Sequence, residues 1–225
     1  MRELKAFNFK QWIDDHRDML KPPIGNKLVF QDAEFIVMVV GGPNERKDYH
    51  YDESEEFFYQ VEGDIVVKIM DNDTPVDIPI REGELFLLQP RVPHSPQRGS
   101  NTVGLVIERK RAEDEKDGLI WFCEKCHHKL YEEYFCLDNI ETQLQTVFHH
   151  FYGSTEHRTC TQCGTVMAQR SADFVRGDHC LRRDAKGRYP YTHPARDLAR
   201  FEGALRLQRI CATRTARSRL RAPVD

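Results

Sequence analysis

The strongest constraint on this chain is a series of short β-prone runs between residues 28 and 109. They read LVF at 28–30, EFIVMVV at 34–40, EFFYQV at 56–61, DIVVKIM at 64–70, ELFLLQ at 84–89 and TVGLVIER at 102–109. Between them stand turn-favouring clusters: Gly41-Gly42-Pro43, Glu62-Gly63-Asp64, Asp71-Asn72-Asp73 and Arg81-Glu82-Gly83. Glycine, proline, asparagine and aspartate supply the backbone angles that such reversals need. Many short strands at near-regular spacing predict an antiparallel sandwich or barrel, so the chain is expected to be mainly β.

Few helices are expected around that region. Asn8 can cap a first helix, with Trp12, Ile13 and Leu20 weighting one side before Pro22 and Pro23 end it. Residues 110–118 (KRAEDEKDG) read as a charged linker. Beyond them Asp138 can cap a second helix, in which Ile140, Leu144, Phe148 and Phe151 recur at helical spacing.

The formal charge of −3 conceals a split. Residues 1–170 carry 20 basic and 30 acidic side chains, whereas residues 171–225 carry 13 and 6. No apolar run approaches the roughly 18 residues of a membrane span, and the N-terminal MRELKAFNFKQW has no apolar signal region. The expectation is a cytoplasmic protein whose seven cysteines stay reduced.

Chemistry concentrates in two β-region segments. The first runs from Arg46 through His50 and Glu56 to Gly63, and the second from Gly83 through His94 to Arg98. Either histidine alone reads as an ordinary surface or core residue. Two imidazoles and a carboxylate together, each beside turn residues at the end of a β-run, read as a metal site. That donor set occupies one face of ferrous iron and leaves the other positions open for a substrate and dioxygen.

These segments resemble the paired motifs of the cupin superfamily, small β-barrels that hold a metal inside. The second histidine of the usual first motif falls here on Asp52, a departure from the pattern. More specifically, FNFKQWIDDH, LKPPIGN at 20–26, VVGGPNERKDYH at 39–50, EEFFYQVEG at 55–63, PHSPQR at 93–98 and VIER at 106–109 are similar to the 3-hydroxyanthranilate 3,4-dioxygenase family. The resemblance covers about residues 6–170. It implies a jelly-roll-like barrel with His50, Glu56 and His94 as ligands of Fe(II), and its register selects Glu56 over the adjacent Glu55. It also implies that Arg98 clamps the substrate carboxylate, that Glu108 takes a proton or hydrogen bond, and that Arg46 stabilises negative charge. Asn26 and Ile140 match positions lining the pocket. The implied reaction opens the ring of 3-hydroxyanthranilate with O2 in tryptophan–kynurenine or nitroaromatic breakdown, in a cytoplasmic homodimer. Its product is 2-amino-3-carboxymuconate semialdehyde, which cyclises to quinolinate.

A second constellation consists of Cys123-x2-Cys126 and Cys160-x2-Cys163. Two such hooks present four thiolates in a tetrahedron that suits zinc or a rubredoxin-like iron. A closed four-thiolate set has no vacancy for substrate, so a structural role is expected. A redox-active pair is the lesser alternative, and Cys136, Cys180 and Cys211 have no comparable spacing. The expected division is a barrel with its helix at 1–112, a four-cysteine extension at 113–170 and a poorly ordered basic tail at 171–225.

Two other functions compete. The tail holds twelve Arg and one Lys, against ten of each before it, which permits electrostatic binding to nucleic acid by a protein with a cupin sensor. It lacks the aromatic interleaving that stacks bases, so nucleic acid is not the expected partner. A different metallocupin, such as a sugar isomerase or epimerase, is the other reading.

Overall fold

The computed structural model describes residues 5–22, 25–30, 33–136 and 140–169. Pro23, the capping position Asp138 and all of residues 171–225 lie outside them, and so do the expectations for the tail.

Helix α1 spans Phe9–His16. Asn8 caps it as expected, its side-chain oxygen accepting the Gln11 N–H at 3.0 Å. A 3-10 turn, Arg17–Leu20, follows. Ile13 and Leu20 are buried with Val39 and Val103, which fixes this segment against one sheet.

Eleven strands follow among the described residues: β1 (Asn26–Leu28), β2 (Phe35–Gly41), β3 (Asp48–Tyr51), β4 (Glu56–Glu62), β5 (Ile65–Asp71), β6 (Thr74–Ile80), β7 (Leu85–Leu88), β8 (His94–Arg98), β9 (Val103–Arg109), β10 (Asp117–Phe122) and β11 (Lys129–Phe135). They form two antiparallel sheets, ordered β1-β2-β9-β4-β7 and β11-β10-β3-β8-β5-β6. The mainly β architecture with few helices read from the sequence is the one observed. Local chemistry explains individual turns: Asn72 and Asp73 both take positive φ in the two-residue loop joining β5 to β6, as a tight hairpin requires.

Five of these strands carried no β signal that the sequence reading used. β6 contains Pro75 and Pro79 but lies at a sheet edge, where a missing N–H costs no ladder bond. β3 and β8 consist largely of polar residues that serve the site. β10 is buried along its whole length and so has no alternation.

Between the sheets lies a core of Met38, Phe58, Ile65, Val67, Ile80, Leu88 and Val106. A second core forms where α2 (Ile140–Gly153) packs on β10 and β11. There Phe151 stacks on Trp121 with centroids 4.3 Å apart, flanked by Val147, Phe148 and Tyr152. A short helix α3, Thr155–Arg158, leads into the second cysteine hook.

The charged segment after β9 is no loose connection. Lys110 N–H donates to the Glu34 carbonyl, Arg109 clamps Glu115, and the Ala112 N–H donates to Glu115 at 2.7 Å. β10, beyond the expected boundary at 112, pairs with β3.

Candidate metal centres and active site

Strand register brings the expected ligands together. His50 of β3 stands opposite His94 of β8, and Glu56 opens β4 in the facing sheet. One ligating atom from each lies within 4.8 Å of the others. The His94 Nδ1 contacts the Val92 carbonyl at 3.1 Å, which orients the ring and turns Nε2 toward the site. That Nε2 lies 2.8 Å from Glu56 Oε2, yet this buried oxygen receives no properly aligned hydrogen bond. A carboxylate and an imidazole nitrogen that converge without bonding each other are placed as two donors to one ion would be. The residues therefore fit a divalent metal.

His50 is held from behind. Its Nε2 contacts Asp117 Oδ1 at 2.7 Å. Burial opposes a charged His50, but the hydrogen bond and charge of Asp117 outweigh it and raise the histidine's pKa. Burial likewise opposes charge on Glu56, but His94, His50 and Arg46 hold its pKa below the usual carboxylate range.

Three further expected residues surround these ligands. Arg98, at the end of β8, is 4% exposed and has no carboxylate within ion-pair distance among the described residues. Among the described residues its one side-chain hydrogen bond is a long 3.4 Å contact to Gln60 Oε1, and burial pushes its pKa down to about 10. Gly104 makes room for it: a Cβ there would lie 2.7 Å from the guanidinium. Arg46 is instead anchored to the fully buried Asp48, through Nε at 3.0 Å and Nη2 at 2.5 Å. Glu108 of β9 faces Glu56 in register. Burial, together with the Glu56 charge, raises its pKa above the ordinary value.

Asn26 pairs with Val40 and so shares the sheet face of the inner core. Ile140 opens α2, and its side chain lies outside the described residues.

Sequence reasoning missed Asp48, Asp117 and Arg111. Arg111 fell in the segment read as a linker, and Asp117 at its end. Only their position beside a strand offered a signal. Asp52, the departure from the cupin pattern, is not idle. It is buried, accepts from Ser54 N–H and Oγ at 2.9 Å each, and pairs with Arg111 at 3.0 Å.

The four cysteines form the second cluster, all within 4.8 Å and none bridged. Both hooks have one geometry. In each, the first cysteine's N–H donates to a carbonyl five residues on, from Cys123 to His128 and from Cys160 to Thr165. The N–H four residues on donates back, from His127 and from Gly164, and both residues take positive φ. The side chain and backbone of Thr165 pull the Cys163 thiol down to about 6, whereas burial and the neighbouring thiols push Cys126 up to about 12. Cys136 stands outside the cluster.

The chain is similar to known proteins. The sequence model of the 3-hydroxyanthranilic acid dioxygenase family matches residues 1–152. The chain is 59% identical over 159 residues to a 3-hydroxyanthranilate 3,4-dioxygenase of Xanthomonas campestris pv. campestris (strain 8004), covering 71% of this chain and 90% of the relative. It is 41% identical over 174 residues to the enzyme of that name from Bacillus thuringiensis (strain Al Hakam), covering 77% and 97%. Among solved structures, a cupin-2 domain containing protein from Shewanella frigidimarina superposes with a TM-score of 0.38 at 17% identity, covering 47% of this chain and 95% of that one. The chain belongs to the 3-hydroxyanthranilic acid dioxygenase family.

Proposed function

We infer that this protein opens the ring of 3-hydroxyanthranilate with dioxygen, giving 2-amino-3-carboxymuconate semialdehyde, the precursor of quinolinate in tryptophan–kynurenine breakdown. The observation that carries the substrate choice is Arg98, a buried guanidinium without a carboxylate partner among the described residues. A buried unpaired cation is costly, and a substrate carboxylate would complete it with two parallel charge-assisted bonds. Together with the family membership, this favours an aromatic acid over a neutral sugar and over nucleic acid.

The proposed roles follow from placement. His50, Glu56 and His94 would hold Fe(II). Iron so bound supplies a Lewis-acidic centre where the adjacent hydroxyl and amino groups of the substrate and dioxygen can meet. Glu108, its pKa raised, is suited to take the substrate hydroxyl proton and keep it at a carboxyl oxygen. Arg46, locked by Asp48, would hold a fixed positive charge against the negative charge that develops as oxygen is reduced. Asn26 and Ile140 would complete the pocket wall. In balance, the bond between ring carbons 3 and 4 breaks, and both atoms of O2 enter the product as carboxyl and aldehyde oxygens. No external reductant is needed.

The second cluster would hold zinc or iron in a structural role. Its closed set of four thiolates on two hydrogen-bonded hooks supports that reading. The proposed organisation is a barrel over 1–112 and a four-cysteine extension over 113–170 whose first strands, β10 and β11, complete the barrel's six-stranded sheet. A cytoplasmic homodimer is part of the proposal on family resemblance. Among the described residues no helix is long and apolar enough to cross a membrane.

The test is to add 3-hydroxyanthranilate to the ferrous-loaded protein in air. The near-ultraviolet chromophore of the conjugated semialdehyde should appear and then decay to quinolinate. Unchanged substrate would reject the reading.

A further inference from the structure

Arg111 is 6% exposed in its side chain and touches three buried carboxylates. Nε reaches Asp117 Oδ2 at 3.0 Å and Nη2 reaches Asp117 Oδ1 at 2.7 Å. Nη2 also lies 3.0 Å from Asp52 Oδ2, and Nη1 donates to Glu108 Oε2. Asp117 passes the grip on to His50, and Asp52 is tied to Ser54 in the loop before Glu56. A planar guanidinium has five N–H donors in a rigid fork, so fixing one carboxylate fixes the direction offered to the others. Lysine, a flexible point charge, cannot do this.

We propose that Arg111 is a positioning residue that sets two ends of the active site together: His50 through Asp117 at the metal end, and Glu108 at the substrate end. It touches neither expected ligands nor substrate. It orients three buried carboxylates and offsets part of the charge by which they would otherwise repel each other. Removing one partner from such a buried network leaves charges uncompensated and free to swing. Outer partners of metal-binding histidines typically contribute 10- to 100-fold to affinity or activity, which sets the scale here.

The proposal rests on the dioxygenase reading, and the experiment separates the two. Wild type, Arg111→Gln, Arg111→Lys, Asp117→Asn and the Arg111→Gln/Asp117→Asn double variant are loaded with ferrous iron and dialysed. The metal retained at each site is then measured, with the four-thiolate metal as internal reference for folding. Values of kcat per bound iron and KM are read separately. Arg111→Gln should retain about 10-fold less iron at the histidine site. Its kcat per bound iron should fall about 10- to 100-fold while KM moves less than about threefold. Arg111→Lys should fall between it and wild type. Because Arg111 reaches His50 only through Asp117, the double variant should retain no less iron than Asp117→Asn alone.

Wild-type kcat and retention in Arg111→Gln would overturn the proposal, and so would retention losses that multiply in the double variant. Should Arg111→Gln lose its four-thiolate metal and fail to fold, Arg111→Lys decides, and wild-type behaviour there overturns the proposal equally. If wild type itself leaves 3-hydroxyanthranilate unchanged, the dioxygenase reading falls instead.

Discussion

The two candidate metal centres are built on opposite plans. The four-thiolate cluster is local: two short hooks with matching hydrogen bonds, each complete within about six residues. The His50/Glu56/His94 centre is assembled across the molecule. Its ligands come from three strands of two sheets, and Asp117, gripped by Arg111, reaches His50 from 67 residues away in sequence. A local centre with identical soft donors saturates its metal and stabilises the fold. An assembled centre with mixed donors can leave positions open and surround them with charges chosen for a substrate. The first plan suits structure, the second chemistry.

The largest expected effect tests that division. His94→Ala should lower kcat by about 1000-fold or more, a loss of at least about 4 kcal/mol in transition-state stabilisation, while metal analysis finds the four-thiolate site still full. Loss of both metals together would mean that the centres are not separate. Arg98→Met comes next. Without the clamp, kcat/KM for 3-hydroxyanthranilate should fall about 100-fold, consistent with about 3 kcal/mol for charge-assisted bonds, and Arg98→Lys should recover part of it. Steady-state kinetics decide, and an unchanged KM and kcat would remove the carboxylate from Arg98.

Cys126→Ser should act on the other region. We expect a melting temperature lower by about 6–12 °C, from about 3 kcal/mol, with kcat per histidine-site iron within about threefold of wild type. A collapse of kcat without a change in melting would reverse the assignment. The smallest effect lies in the loop joining the regions. Hydrogen bonds from Arg109 and from the Ala112 N–H hold Glu115 down to about 2. A depressed carboxylate stabilises above its ordinary pKa of about 4.3, and that contribution disappears as pH falls toward 2. Because Arg109 is well exposed, the contribution should stay below about 1 kcal/mol. In urea melts, Arg109→Gln should trail wild type at pH 6 and converge with it only toward pH 2. A gap that stays constant with pH would refute this pairing.

Legibility from sequence followed the same contrast. The cysteine hooks were readable because their geometry is written within a few residues. The strands of alternating or apolar character, β2, β4, β5, β7 and β9, were readable from composition and turns. His50, Glu56, His94, Arg98 and Glu108 could be named because family motifs preserve their register. Arg111 and Asp117 could not. Surrounded by KRAEDEKDG, they look like solvated charge, and only β10 pairing with β3 carries Asp117 onto the face of His50. Likewise β3 and β8, which carry the two histidines, trade β-prone residues for polar ones and signal little that they are strands.

Oxygen uptake tests the account most directly. With ferrous iron at the histidine site, the electrode should record one O2 consumed for each 3-hydroxyanthranilate opened, in wild type and in Cys126→Ser alike, and none in His94→Ala. Ring opening without oxygen consumption, or uptake that survives in His94→Ala, would contradict it.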